Sequence, residues 1–214
     1  VMYRLCCHDK MNEHLVVSLR GQGKYGTLLS KQGIKIYTLD MKPGKFSIIA
    51  LYKLIKILKD EKADIVQTWL YHADFFGGIA ARLSGVSNLI WNVRHSDFNK
   101  GYTKKSLLIL IKVLAKLSYF LPKKIIFCSK SSIKLHTRIG YQGYKMKYVP
   151  NGYDIQKFRP SSLKKFISRK KVNMNNRITL LGCVARFHPQ KDHKNLLRAL
   201  NILKKGKIFF KCIL

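Results

Sequence analysis

The sequence predicts an α/β fold built on a mostly parallel sheet, and three observations predict it. Short apolar runs alternate with helical stretches along most of the chain. The runs recur at intervals of roughly 20 to 35 residues, room for a helix between consecutive strands. Apolar residues make up 47% of 214 residues, enough for a folded core rather than a disordered chain.

The elements follow in order. Residues 14–20 (HLVVSLR) read as a strand, and 21–26 punctuate with glycines. Residues 27–32 fit a short helix closed by Gly33, and 34–39 (IKIYTL) alternate as the next strand. Leu51, Leu54, Ile55 and Leu58 recur at helical spacing in 47–60, with Ser47 as N-cap. Residues 64–68 (DIVQT) are a third strand. In the helix expected over 73–83, Gly77, Gly78, Ala80 and Ala81 allow close packing on a sheet. Residues 89–93 are a fourth strand.

A long apolar helix is expected over 104–121, closed by Pro122. At about 100° per residue, Lys105, Lys112, Lys116 and Lys123 form one stripe. The rest of its circumference is nearly all apolar and needs cover from protein or a membrane surface, with protein preferred. Residues 123–128 (KKIIFC) form a fifth strand, Ser129 caps a helix running to Thr137, and 145–149 form a sixth strand. Residues 161–176 are polar and basic, a linker with a short helix. A new strand (177–185, RITLLGCVA) and a new helix (195–203) then open a second domain.

Composition limits the function classes. Forty-two Lys and Arg against ten Asp and Glu give +32, which favours anionic partners. The lysines spread along the chain with no nucleic-acid-binding module, so nucleic acid is not an expected partner. Cys6, Cys7, Cys128, Cys183 and Cys212 form neither a zinc pattern nor a disulfide framework, which fits a reducing, cytoplasmic setting. No metal site is expected. The sequence shows no signal peptide and no apolar run long enough to span a bilayer.

Ligands of parallel sheets sit beyond the carboxyl ends of the strands, so the residues just after each strand matter most. Two such segments carry motifs. Residues 149–160, VPNGYDIQKFRP, place an Asn-Gly turn after a strand and then Asp, Phe and Pro, a stiff connector. In residues 182–199, GCVARFHPQKDHKNLLRA, Arg186 and Lys191 leave a strand and precede a helix. Two cations there suit a diphosphate, Arg as a fork and Lys as a point charge beside a helix amino end. Solvated surface cations are the competing reading.

The two segments in this order resemble the family 4 glycosyltransferases of the GT-B fold. The connector matches at Val149, Pro150, Asn151, Gly152, Asp154, Phe158 and Pro160, and the later motif at Arg186, Pro189 and Lys191. Residues 67–86 (QTWLYHADFFGGIAARLSGV), 92–97 (NVRHSD) and 126–132 (IFCSKSS) resemble further segments of the family. The resemblance implies a GT-B-like chain. Residues 1–160 would be a Rossmann-like acceptor-side domain lacking its first strand, 161–176 the linker, and 177–214 the first βα unit of a donor-binding domain.

It further implies a retaining transfer of sugar from a nucleotide sugar to a glycan or lipid-linked acceptor, in polysaccharide or lipopolysaccharide synthesis. No cofactor or obligate metal is implied. Arg186 and Lys191 would neutralise the donor diphosphate as it leaves, and His95 would lie near the transferred sugar or the acceptor hydroxyl. His72, Arg94 and Asp97 are acceptor-side candidates, while Asn151, Gly152 and Asp154 form the connector. The setting would be cytoplasmic, peripheral at the inner face of the plasma membrane, with an anionic surface as a partner. The family's opening strand with its glycine loop and its paired glutamates are missing here, so an inactive fragment is the expectation. A nucleotide-sugar epimerase of the same fold, and a non-catalytic basic protein binding membrane or nucleic acid, are the alternatives.

Overall fold

The computed structural model describes residues 1–95, 98, 103–173 and 178–214. Contacts divide the chain into two units, Val1–Gly152 and Tyr153–Leu214.

The first unit opens with helix α1 (Met2–His8), strand β1 (Leu15–Ser18), helix α2 (Gly23–Ser30) and strand β2 (Lys35–Thr38). Helix α3 (Ile48–Asp60), β3 (Ile65–Trp69), α4 (Tyr71–Leu83), β4 (Asn88–Val93) and α5 (Lys105–Leu117) follow. The unit closes with β5 (Lys124–Phe127), α6 (Lys130–Ile139) and β6 (Met146–Tyr148). β1 pairs in parallel with β2, and β3, β4, β5 and β6 form a second parallel sheet in that order. β1 and β3 are not paired with each other. A cavity of about 970 Å³ lies between them.

The helix starts follow from local chemistry. Ser47 accepts the Ala50 N–H at 3.2 Å, and Ser129 accepts the Ser132 N–H at 3.1 Å; each hydroxyl satisfies a donor that the first helical turn leaves over. The core gathers behind β4 and β5, where Leu89, Trp91, Val93, Ile125 and Phe127 are buried in one cluster with residues of α4 and α5. Such strands are mainly apolar because a parallel strand is covered on both faces, buried Asn92 of β4 being the exception. Gly77 and Gly78 let α4 approach this sheet. A Cβ on Gly77 would sit 2.9 Å from Thr68 Cγ2, and one on Gly78 would sit 3.3 Å from Trp91 Nε1.

The long helix ends earlier than its apolar run predicts. α5 stops at Leu117, and residues 118–121 turn toward buried Pro122. Lys145 draws the chain off the helical path by donating to the carbonyls of Ser118 and Tyr119 at 3.0 and 2.6 Å. Burial, with Arg82 as a second cause, holds its ammonium below the usual lysine range. Nor is the rest of the helix covered all round. Ile111, Leu114 and Ala115 are buried, while Ile109 and Val113 remain exposed beside the lysine stripe. The second helix also starts earlier than predicted, at Gly23 rather than 27.

The second unit holds α7 (Ser162–Lys171), β7 (Thr179–Gly182), α8 (His193–Lys205) and β8 (Phe210–Ile213). β7 and β8 pair in parallel with α8 between them in sequence, so they form one βαβ unit. None of its described residues is buried. No helix among the described residues is long and apolar enough to cross a membrane.

Candidate functional site

The carboxyl ends of β3, β4, β5 and β6 bring most of the predicted residues of the first unit together. At the end of β3 the backbone is strained: Leu70 takes φ +74° and ψ 155°, a region that glycine alone occupies easily. Its N–H still donates to the Asn92 carbonyl at 3.1 Å, and its own carbonyl receives the Asp74 N–H. The strain turns the chain sharply from β3 into α4 and sets Tyr71 and Trp69 at the sheet edge.

Arg94 is the hub. Its guanidinium donates to Asn151 Oδ1 at 2.8 Å and to Asn92 Oδ1 at 3.1 Å, and lies 4.7 Å from the Trp69 ring centre. One side chain therefore joins the ends of β3 and β4 to the connector. Arg4 of α1 adds a second tie, donating to the Gly152 carbonyl at 3.2 Å. A planar guanidinium suits such a post because it can stack and fork at once.

His95 leaves β4 next to Arg94. Its ring lies 5.5 Å from Tyr71 and 6.3 Å from Phe98, stacked on the latter. Its Nδ1 is buried with no hydrogen-bond partner among the described residues. His72 takes a different position, exposed on the first turn of α4 and lining the cavity between β1 and β3. Asp97 lies outside the described residues. Asp154 falls in the second unit, where it accepts the N–H groups of Gln156 and Lys157 and holds a local turn.

Sequence reasoning missed the buried group beneath His95. His136 of α6 is fully buried, with Nε2 2.8 Å from the Tyr71 hydroxyl and Nδ1 2.7 Å from the Ser132 carbonyl. The carbonyl can only accept, so Nδ1 carries the proton and Nε2 accepts from Tyr71. Burial, which the nearby His95 reinforces, pushes the imidazole down to about 4. Ser132 Oγ in turn donates to the His95 carbonyl, which fixes the backbone at the β4 exit. Asp74 also lies buried, accepting from Thr68, and its desolvation raises its carboxyl well above the usual range. The i, i+4 spacing of Ser132 and His136 was the one available signal, and it is common on any helix.

In the second unit Arg186 and Lys191 are exposed on the loop from β7 to α8. Lys191 ends a short 3₁₀ turn, Pro189–Lys191. Asp192 follows with φ +47° and caps α8 by accepting the Asn195 N–H at 3.2 Å. Among the described residues, no group of His, Cys, Asp and Glu is set to hold a metal ion.

Parallel strands in this order, with a polar cluster at their carboxyl ends, define the first unit as a Rossmann-like domain of the GT-B class. Solved structures agree on the fold. Anabaena Alr3699/HepE in complex with UDP matches with a TM-score of 0.73 at 20% identity, covering 87% of this chain and 49% of that one. A UDP-N-acetylglucosamine 2-epimerase from Rickettsia bellii matches at 0.50 and 16% identity, over 99% of this chain and 59% of the other. The sequence profile described as Glycosyltransferase Family 4 matches residues 8–157, and the chain belongs to that family.

Curated relatives agree. The chain is 31% identical over 147 residues to the Escherichia coli UDP-Gal:alpha-D-GlcNAc-diphosphoundecaprenol alpha-1,3-galactosyltransferase, 68% of this chain and 37% of the relative. It is 23% identical over 207 residues to the Campylobacter jejuni N,N'-diacetylbacillosaminyl-diphospho-undecaprenol alpha-1,3-N-acetylgalactosaminyltransferase, 92% of this chain and 54% of the relative. The chain thus spans between about a third and a half of the length of these relatives.

Proposed function

We propose that this protein acts as a retaining glycosyltransferase, moving a sugar from a nucleotide sugar to a lipid-linked diphosphate glycan in polysaccharide assembly. The observation that carries the reading is the convergence of Arg94, His95 and Asn151 at the carboxyl edge of the sheet, inside the family-matched residues. Both relatives are named for transfer to undecaprenol-diphosphate acceptors. In the reaction the acceptor hydroxyl attacks the anomeric carbon, the bond to the diphosphate oxygen breaks, and the nucleoside diphosphate leaves. Arg186 and Lys191 meet its charge, so no resident cofactor or metal is needed. His95, His72 and Asp97 belong to the acceptor side in this reading, and Asp154 to the connector.

The test supplies tritiated UDP-galactose, UDP-glucose or UDP-N-acetylglucosamine with a short-tailed lipid diphosphate bearing GlcNAc. Label should pass to the lipid with retained configuration and in the presence of EDTA, and His95→Ala should lower the rate by about a hundredfold. Isomerised donor without labelled lipid would assign an epimerase instead. Acceptor binding is read separately, from the ring resonances of His95.

The same reading places the protein at the cytoplasmic face of a membrane that carries the acceptor. The outer face of α5 supports this. Lys105, Lys112 and Lys116 alternate there with exposed Ile109 and Val113, and exposed Phe120 follows. Basic residues with apolar neighbours favour an anionic leaflet. Vesicles with about a third anionic lipid should bind the chain, and Lys112→Glu with Lys116→Glu should weaken binding at least tenfold at about 1 kcal/mol per lysine, more once charge is reversed. Equal binding to neutral vesicles would remove the electrostatic part.

A further inference from the structure

His95 is half-buried at the exit of β4, beside the Tyr71 and Phe98 rings at 5.5 and 6.3 Å. Of its two ring nitrogens, Nδ1 is the one sealed from solvent, and no described residue bonds it. Nε2 also makes no hydrogen bond to a described residue, but it is not sealed in. A buried N–H without an acceptor is rare in folded proteins, whereas an unused buried lone pair is tolerated more often. In the neutral ring the proton therefore sits on Nε2. His95 then offers a donor on its open side, beyond the carboxyl end of β4, where ligands of parallel sheets gather.

The backbone beneath the ring is held from a helix far along the chain. A serine in a helix more often bonds a backbone group nearby in sequence. Fully buried Ser132 of α6 instead donates its hydroxyl to the His95 carbonyl, 37 residues away. α6 does not need that hydroxyl for its own start, since Ser129 already caps it. Ser132 is itself held, because its carbonyl accepts the Nδ1–H of His136 at 2.7 Å. His136 in turn takes the Tyr71 hydroxyl on Nε2 at 2.8 Å. Tyr71 also flanks the His95 ring, so one chain of contacts fixes both the ring and the backbone of His95.

We propose that Ser132 is a positioning residue, which through the His95 carbonyl holds that imidazole with Nε2–H pointing out of the sheet edge, as a hydrogen-bond donor to an oxygen of the bound sugar substrate. The substrate's part in this rests on the function proposed above, and the orientation of the ring rests on geometry alone. A definite task for His95 follows. A ring that presents Nε2–H donates to an oxygen and cannot take a proton from an attacking hydroxyl at that atom. Glutamine reaches as far as Nε2 of a histidine and can donate there, but it takes up no proton at neutral pH. Asparagine reaches only as far as Nδ1.

Nitrogen-15 spectra of the full chain with labelled histidine, recorded at about pH 8, separate a protonated ring nitrogen from an unprotonated one. The pair of signals that His95→Gln removes belongs to His95 and should show the proton on Nε2. Ser132→Ala should mix the two forms, while Ser131→Ala, adjacent but exposed, should not. In the transfer assay Ser132→Ala should lower kcat by about tenfold and leave KM within about twofold. His95→Gln should retain more than about a tenth of the natural rate, and His95→Asn should fall with His95→Ala to about a hundredth. A proton on Nδ1 in the natural chain, an unchanged ring signature in Ser132→Ala, or His95→Gln no better than His95→Ala would each overturn the proposal. A natural chain that shows the Nε2 proton, and loses that preference in Ser132→Ala, yet transfers no sugar would support the positioning and overturn the function proposed above.

Discussion

Replacing Arg186 and Lys191 together with alanine should weaken binding of UDP or a UDP-sugar to this chain by about a hundredfold or more. Each residue offers the diphosphate a charge-assisted hydrogen bond, and one such bond contributes roughly 1.5–3 kcal/mol when its partner is well placed. Their position favours the full effect over the small one expected of exposed cations. Both leave the loop between β7 and α8, and the amino end of α8 adds a favourable dipole for an anion. Asp192 is the opposing charge. It already caps α8, so the two cations must hold the ligand against a nearby carboxylate. Arg186→Lys keeps the charge and loses the fork, and should recover only part of the affinity. Lys170→Ala with Lys171→Ala, at the exposed end of α7, serves as the control because it removes the same formal charge elsewhere in the unit. Calorimetric titration with UDP at two salt concentrations measures all three. Equal, small losses in the double variant and the control would reduce Arg186 and Lys191 to surface charges.

How much of this was legible beforehand depends on whether a feature is local in sequence. The strands were legible because β4 and β5 are short, mainly apolar runs, and the starts of α3 and α6 because Ser47 and Ser129 cap them within three residues. The end of α5 was not, since it is set by Lys145, distant in sequence, taking up the carbonyls of Ser118 and Tyr119. The site divides the same way. Arg94, His95, Asn151 and Gly152 stand at strand exits and were found by that position. Their mutual contacts were not, because Arg94 reaches Asn151 across 57 residues. Tyr71 and His136 lie 65 residues apart on two helices, and nothing in either helix marks its polar residue as buried.

The buried His136 should give the first unit a pH dependence that inverts the rank of two variants. Burial holds its imidazole at about 4, against an ordinary value near 6.5. Between those values the unfolded chain takes up a proton that the folded chain refuses. Stability from this group is therefore complete above about pH 6.5 and is lost as pH falls toward 4, by on the order of 3 kcal/mol. The charged and titratable neighbours are Tyr71 and Asp74 of α4, His95 at the β4 exit, and Tyr141 after α6. Asp74 works in the opposite direction, because its raised carboxyl makes the folded chain the stronger proton binder over the same range. The whole chain's pH profile thus mixes two slopes of opposite sign, and only a comparison isolates His136. His136→Phe fills the same space among Tyr71, Phe127 and Tyr141 but leaves the Tyr71 hydroxyl without an acceptor. At pH 7.5 it should be less stable than the natural chain by about 1–3 kcal/mol. As pH falls the difference should shrink, and near pH 4 the variant should be the more stable of the two, Asp74 being common to both. Urea titrations at half-unit steps from pH 4 to 8 measure this, and parallel curves would mean that His136 stays proton-accessible in the folded chain. His95 gives an independent readout: if the Tyr71–His136–Ser132 chain positions it, its ring resonances should shift in His136→Phe at pH 7.5.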